Sequence, residues 1–221
     1  MKNINKYVEH TLLKQDATNE ELIKLFDEAK EYDFLGVCVN PVNVRMAKEA
    51  LRGTDIKVVT VVGFPLGATY SEIKAHEAVK AIEDGADEVD MVMNVSALKN
   101  REYGVVLEDI KAVVAASSKP VKVIIETDLL RQDEIAKATE IVGLSGARFV
   151  KTSTGFVKNG VGAKVEDVIM MSKIANKYGI SVKASGGIKT FEDAKKLLEA
   201  GALRLGTSSG VKIIEGANFE A

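Results

Sequence analysis

Two lysines close short apolar runs in the second half of the chain, Arg148-Phe149-Val150-Lys151 and Ser181-Val182-Lys183. An amine attacks a carbonyl only after losing its proton. A second ammonium nearby, with partial desolvation, lowers the cost of that loss. Bringing a lysine from about 10.4 to about 7 takes roughly 4 to 5 kcal/mol, within reach of those two effects. The chemistry suggested is imine formation on whichever of Lys151 and Lys183 is the more buried. The plain alternative is that each is a solvated residue at a strand exit.

A carboxylate belongs with them. Glu88-Val89-Asp90-Met91-Val92-Met93 places Asp90 within an otherwise apolar strand, where an unpaired charge would cost several kcal/mol. Alternation puts Asp90, Val92 and Asn94 on one face, so Asp90 can point inward with the lysines as counter-charges. It reads either as a proton shuttle for an imine and enamine pathway or as one half of a structural ion pair. Two further stretches suit a phosphate: Ser185-Gly186-Gly187, and Gly206-Thr207-Ser208-Ser209-Gly210. Their glycines allow close backbone approach, and N–H groups at a following helix start can bind a dianion.

These groups need a scaffold that brings strand ends to one mouth. Apolar runs fall near Tyr7 to Leu12, Gly36 to Asn40, Lys57 to Val62, Glu88 to Met93, Val121 to Glu126, Arg148 to Lys151, Ser181 to Ala184 and Leu203 to Gly206. Amphipathic stretches separate them. In Asn19 to Tyr32, Leu22, Leu25, Phe26 and Ala29 share a face behind a Thr18/Glu21 capping box. Phe191 to Ala200 follows Thr190 as N-cap. Gly85-Ala86, Gly146-Ala147 and Gly201-Ala202 repeat between a helix and the next strand, where glycine ends the helix. Eight such units predict an α/β fold of one domain spanning 1–221, a (β/α)8 TIM barrel with its chemistry at the C-terminal strand ends. The competing doubly wound sheet lacks a Gly-x-Gly-x-x-Gly or P-loop turn after any strand.

Composition narrows the function classes. The 221 residues are 46% apolar, enough for a full core, and 30 basic against 32 acidic residues leave no basic stripe for nucleic acid or an anionic membrane. Charges at Lys6 and Glu9 interrupt any signal-peptide pattern, and Val58 to Ala68 is too short and too broken to span a bilayer, so a cytoplasmic protein is expected. Cys38 is the sole cysteine and reads as a small buried hydrophobe. With only His10 and His76 besides, no metal site is expected.

The residues resemble those of the deoxyribose-phosphate aldolases from about Tyr7 to Gly210. The likeness is carried by His10-Thr11-Leu12-Leu13, Val37-Cys38-Val39-Asn40-Pro41, Gly63-Phe64-Pro65-Leu66-Gly67, Glu88-Val89-Asp90-Met91-Val92, Lys151-Thr152-Ser153-Thr154-Gly155-Phe156 and Lys183-Ala184-Ser185-Gly186-Gly187. It implies a class I aldolase that reversibly cleaves 2-deoxy-D-ribose 5-phosphate to D-glyceraldehyde 3-phosphate and acetaldehyde, with no metal and no organic cofactor. It also implies a Schiff base on Lys151, a second lysine at Lys183 that depresses its pKa and joins proton transfer, and a proton shuttle at Asp90. Gly155, Gly186, Gly187, Ser208 and Ser209 would hold the phosphate, and a homodimer is implied. The chain departs from the pattern at Glu9, where aspartate is usual. It departs again in Val157-Lys158-Asn159-Gly160-Val161-Gly162-Ala163-Lys164, where a glycine-rich loop is usual. At Arg148 and Asp128 the changes read as surface or rim substitutions.

Two other readings share the scaffold. A phosphosugar isomerase or epimerase would keep the phosphate loops but needs no covalent lysine. A catalytically silent phosphosugar-binding barrel would use the lysines only as counter-ions and would tolerate Lys151→Arg.

Overall fold

In a computed structural model describing residues 3–219, eight parallel strands close on themselves in chain order. They are β1 (Val8–Leu12), β2 (Gly36–Val39), β3 (Lys57–Val62), β4 (Glu88–Val92), β5 (Val121–Ile124), β6 (Phe149–Lys151), β7 (Ser181–Ser185) and β8 (Ala202–Thr207). Helices α1 (Asn19–Glu31), α2 (Val44–Ala50), α3 (Ser71–Glu83), α4 (Val95–Lys99) and α5 (Tyr103–Ala116) lie in the first half. Then come α6 (Gln132–Leu144), α7 (Val165–Ala175), α8 (Phe191–Glu199) and α9 (Gly210–Phe219). Val8 pairs with Leu205 and His10 with Thr207, which closes the barrel.

The sequence pattern explains the layering. Leu22, Leu25, Phe26 and Ala29 are the buried face of α1, and both the Thr18/Glu21 box and the Thr190/Asp193 box form. Gly85, Gly146 and Gly201 have φ of +112°, +87° and +108°, the left-handed turn that releases each chain into its next strand. Between sheet and helices lies a continuous apolar layer, including Val89, Met91, Val123, Val150 and Val182. The alternate residues face the interior, and there the barrel is divided. On one side Cys38, Val59 and Val61 form a small apolar cluster with Leu13. On the other the interior is charged, because the registers Val61↔Asp90, Asp90↔Lys122, Ile124↔Lys151 and Lys151↔Lys183 place ionisable residues around one ring.

Candidate active site

Asp90 is the hub of that ring. Its Oδ2 accepts from Lys151 Nζ at 2.9 Å and Lys183 Nζ at 2.6 Å, and its Oδ1 accepts from Lys122 Nζ at 2.8 Å. Lys122 also meets Glu88 at 2.7 Å and Glu9 at 3.5 Å. Glu9 pairs with Lys183 and has Arg204 Nε at 3.7 Å. The ring thus draws on β1, β4, β5, β6, β7 and β8, and Lys122, Lys183 and Asp90 are wholly buried. Burial opposes ionisation of Asp90, but Lys122, Lys151 and Lys183 outweigh it and hold the carboxyl well below the usual carboxylate range. Burial likewise opposes charge on Glu9, yet Lys122 and Lys183 hold it low. Lys183 and Lys122 are carried above the ordinary lysine value against burial, Lys183 by Asp90 and Glu9, and Lys122 by those two and Glu88. Burial pushes the Cys38 thiol up to about 11, so this cysteine is a neutral packing residue.

Burial does not select the amine as the sequence suggested, since Lys183 is more buried than Lys151 yet is carried above the ordinary lysine value; the three lysines differ instead in their company. Lys122 faces three carboxylates and Lys183 two, while Lys151 faces only Asp90 and is the one that lines the mouth cavity. With Lys151 neutral, Glu9, Glu88 and Asp90 still face Lys122, Lys183 and Arg204. Lys151 is therefore the amine whose proton can leave without stranding a buried carboxylate.

The cavity is about 480 Å³, a size suited to a small metabolite, and Gly155, Gly186, Gly187, Ser208 and Ser209 line it together with Lys151. Helix α9 starts at Gly210, directly after the two serines, so the unsatisfied N–H groups of its first turn lie at this wall. Thr207 Oγ1 donates to Ile188 O at 2.7 Å, tying the two phosphate-type loops to each other. Ser185 Oγ donates to Ser153 O at 2.6 Å, and Thr152 Oγ1 donates to Ser185 O at 3.0 Å, which locks the β6 and β7 exits side by side. Lys14, Lys189 and Lys212 add cations at the same rim.

Sequence reasoning missed several of these groups. Lys122 sits in Val121-Lys122-Val123-Ile124 directly after Ser117-Ser118-Lys119-Pro120, where a lysine passes for a solvated strand edge. The rim lysines carry no signal either, because their convergence depends on two loops and the first turn of α9, distant in sequence. Glu126 was also missed. It turns with φ +59° after β5 and accepts from the Thr154 N–H at 3.1 Å and from the Thr154 hydroxyl, although burial raises its carboxyl. Asp128 stands at the rim, and there its carboxylate accepts from Val161 N at 3.0 Å and Gly162 N at 2.9 Å. No group of three or more His, Cys, Asp or Glu among the described residues is placed to hold a metal ion.

Comparison with known proteins converges on one kind of enzyme. Residues 4–216 match a family model described as DeoC/LacD family aldolase. The chain is 55% identical over 219 residues to a Mesoplasma florum protein named deoxyribose-phosphate aldolase 1, covering 99% of this chain and 98% of that one. A Thermococcus kodakarensis deoxyribose-phosphate aldolase is 53% identical over 224 residues, with 99% of each chain covered. Among solved structures, a deoxyribose phosphate aldolase from Aeropyrum pernix, described as a unique tetramer, superposes with a TM-score of 0.90 at 32% identity. That match covers 99% of this chain and 92% of the other.

Proposed function

The chain belongs to the DeoC/LacD family of aldolases, and from that premise we propose how its own residues carry the reaction. The reaction is the reversible cleavage of 2-deoxy-D-ribose 5-phosphate to D-glyceraldehyde 3-phosphate and acetaldehyde. Neutral Lys151 adds to the aldehyde carbon of the open-chain sugar, and the carbinolamine so formed takes up a proton on its hydroxyl and loses water to give the iminium. The C2–C3 bond then breaks as the C3 hydroxyl gives up its proton, and the bonding electrons pass into the iminium as an enamine. Reprotonation of that enamine at C2 and hydrolysis of the imine release acetaldehyde and regenerate the amine. Asp90 and Lys183 share a hydrogen bond beside Lys151, which suits them to relay the protons of these steps. Gly155, Gly186, Gly187, Ser208 and Ser209 receive the phosphate, with α9 and the rim lysines supplying positive potential.

The observation that carries this reading is the position of Lys151: it alone of the three ring lysines lines the cavity, within reach of Asp90. The alternatives are an isomerase with no covalent lysine and a silent binding barrel. Acetaldehyde and borohydride should trap one ethyl group on Lys151, located by peptide mass spectrometry, and Lys151→Arg should abolish both label and turnover. Label scattered over surface lysines, or an active arginine variant, would overturn the covalent reading. The homodimer implied by the resemblance and a cytoplasmic site of action belong to the same proposal. Exposed Leu66, Tyr70 and Ile73 support the former, and the latter is consistent with the absence, among the described residues, of any helix long and apolar enough to cross a membrane.

A further inference from the structure

Asp128 and the loop 157–164, two departures from the family pattern in sequence, form one unit in space. Asp128 lies in the single turn that follows β5, outside the cavity wall. That turn is itself anchored: Thr127 N donates to Thr152 O at 2.9 Å, and Lys99 Nζ donates to Leu129 O at 2.8 Å. From this base the two carboxylate oxygens take the N–H groups of Val161 and Gly162, one each. Charged acceptors on successive backbone donors fix a loop more firmly than neutral ones.

The far side of the same loop presses on the phosphate wall. Ala163 N donates to Gly186 O at 3.1 Å. A Cβ on Gly187 would fall 2.2 Å from Val161 O, and one on Gly162 would fall 2.3 Å from the Gly186 carbonyl. Residues 161–163 are therefore a spacer one backbone thick, held by Asp128 on one side and backing Gly186-Gly187 on the other.

The geometry points to Asp128 as a positioning residue for phosphate recognition, acting through residues 161–163 on the Gly186-Gly187 wall. This rests on the assignment of that wall to the phosphate. Losing the carboxylate frees the loop and loosens the wall, while the imine chemistry around Lys151 and Asp90 does not touch this layer. The substrate's phosphate, and not its aldehyde end, should sense the change.

The test compares wild type, Asp128→Ala and Asp128→Asn on 2-deoxyribose 5-phosphate, on phosphate-free 2-deoxyribose, and with inorganic phosphate as competitor. Asp128→Ala should raise both KM for the phosphorylated sugar and Ki for phosphate by about tenfold. It should leave kcat, and kcat/KM for the free sugar, within about twofold. Asparagine keeps one acceptor and should fall between, which also serves if the alanine variant folds poorly. Unchanged KM and Ki, or an equal loss on both sugars, would overturn the inference. If wild type neither prefers the phosphorylated sugar nor responds to phosphate, the assignment of the wall itself fails.

Discussion

At the scale of single residues, the ring works by unequal pairing. Lys122 has three carboxylate neighbours and no exposure, so it is the fixed cation against which the others are set. Lys122→Met would leave Glu9, Glu88 and Asp90 facing Lys57, Lys151, Lys183 and Arg204, with Glu88 held only by the half-exposed Lys57. We expect stability to fall by about 3 to 5 kcal/mol, the usual cost of stranding a buried partner, measured by urea unfolding. We also expect the pH–activity profile to move to higher pH, because Asp90 would be left with two lysine partners in place of three. Unshifted kcat/KM profiles would show that Lys122 is only structural filler. The residue also marks a limit of sequence reasoning. Asp90 is conspicuous because a carboxylate breaks the apolar run around it, whereas Lys122 sits between valines near a run of surface-type residues and passes for a solvated strand edge. Only the register Asp90↔Lys122 turns two separate anomalies into one pair.

At the scale of elements, the site exists because neighbouring strands end at one level and one of them leaves space. A Cβ on Gly206 in β8 would lie 3.1 Å from both Lys183 Cε and Ser185 Cβ, so glycine there gives the Lys183 side chain its path toward Asp90. Gly206→Ala should push that side chain aside and lower kcat about tenfold, with a stability loss of about 1 to 3 kcal/mol from overpacking. Gly104→Ala in α5 is the control. Nothing lies within 4 Å of its added methyl, and helix propensity should make it more stable by about 1 kcal/mol at unchanged kcat. Equal activity in both variants would mean that β8 does not aim Lys183. The eight strands were legible as short apolar runs alternating with amphipathic stretches, three of them behind a glycine helix stop, and the observed ends differ by two residues at most. The largest difference is instructive: the run expected to reach Glu126 ends at Ile124, where tertiary bonds to Thr152 and Thr154 bend the chain. Helix α4, a five-residue helix capped locally by Asn94, is too short to show a period, and the Asp128 clamp was illegible because contacts with a distant loop shape it and local periodicity does not.

At the scale of the whole molecule, the ring joins six of the eight strands across the barrel interior, so its charges are paired only while the barrel is closed. Its titration should consequently report on global unfolding. Asp90 and Glu9 have folded values below their ordinary 3.8 and 4.5. The stability they contribute is therefore complete above those ordinary values and is lost as the pH falls further toward the lowered ones. Lys122 and Lys183 are raised above 10.5, so their contribution is complete below that value and fades as the pH climbs through the raised ones. Thermal melting should therefore be nearly flat from about pH 5 to about pH 10 and decline on both sides. Surface carboxylates also contribute to an acid limb, so the discriminating sample is a double variant, Glu9→Gln with Lys183→Met, which removes one charge of each sign from the ring. Its melting temperature should be less sensitive to pH on both limbs than that of wild type, whatever its absolute value. Limbs of undiminished steepness would place the pH dependence on the protein surface, and would mean that closing the barrel does not depend on the charges inside it.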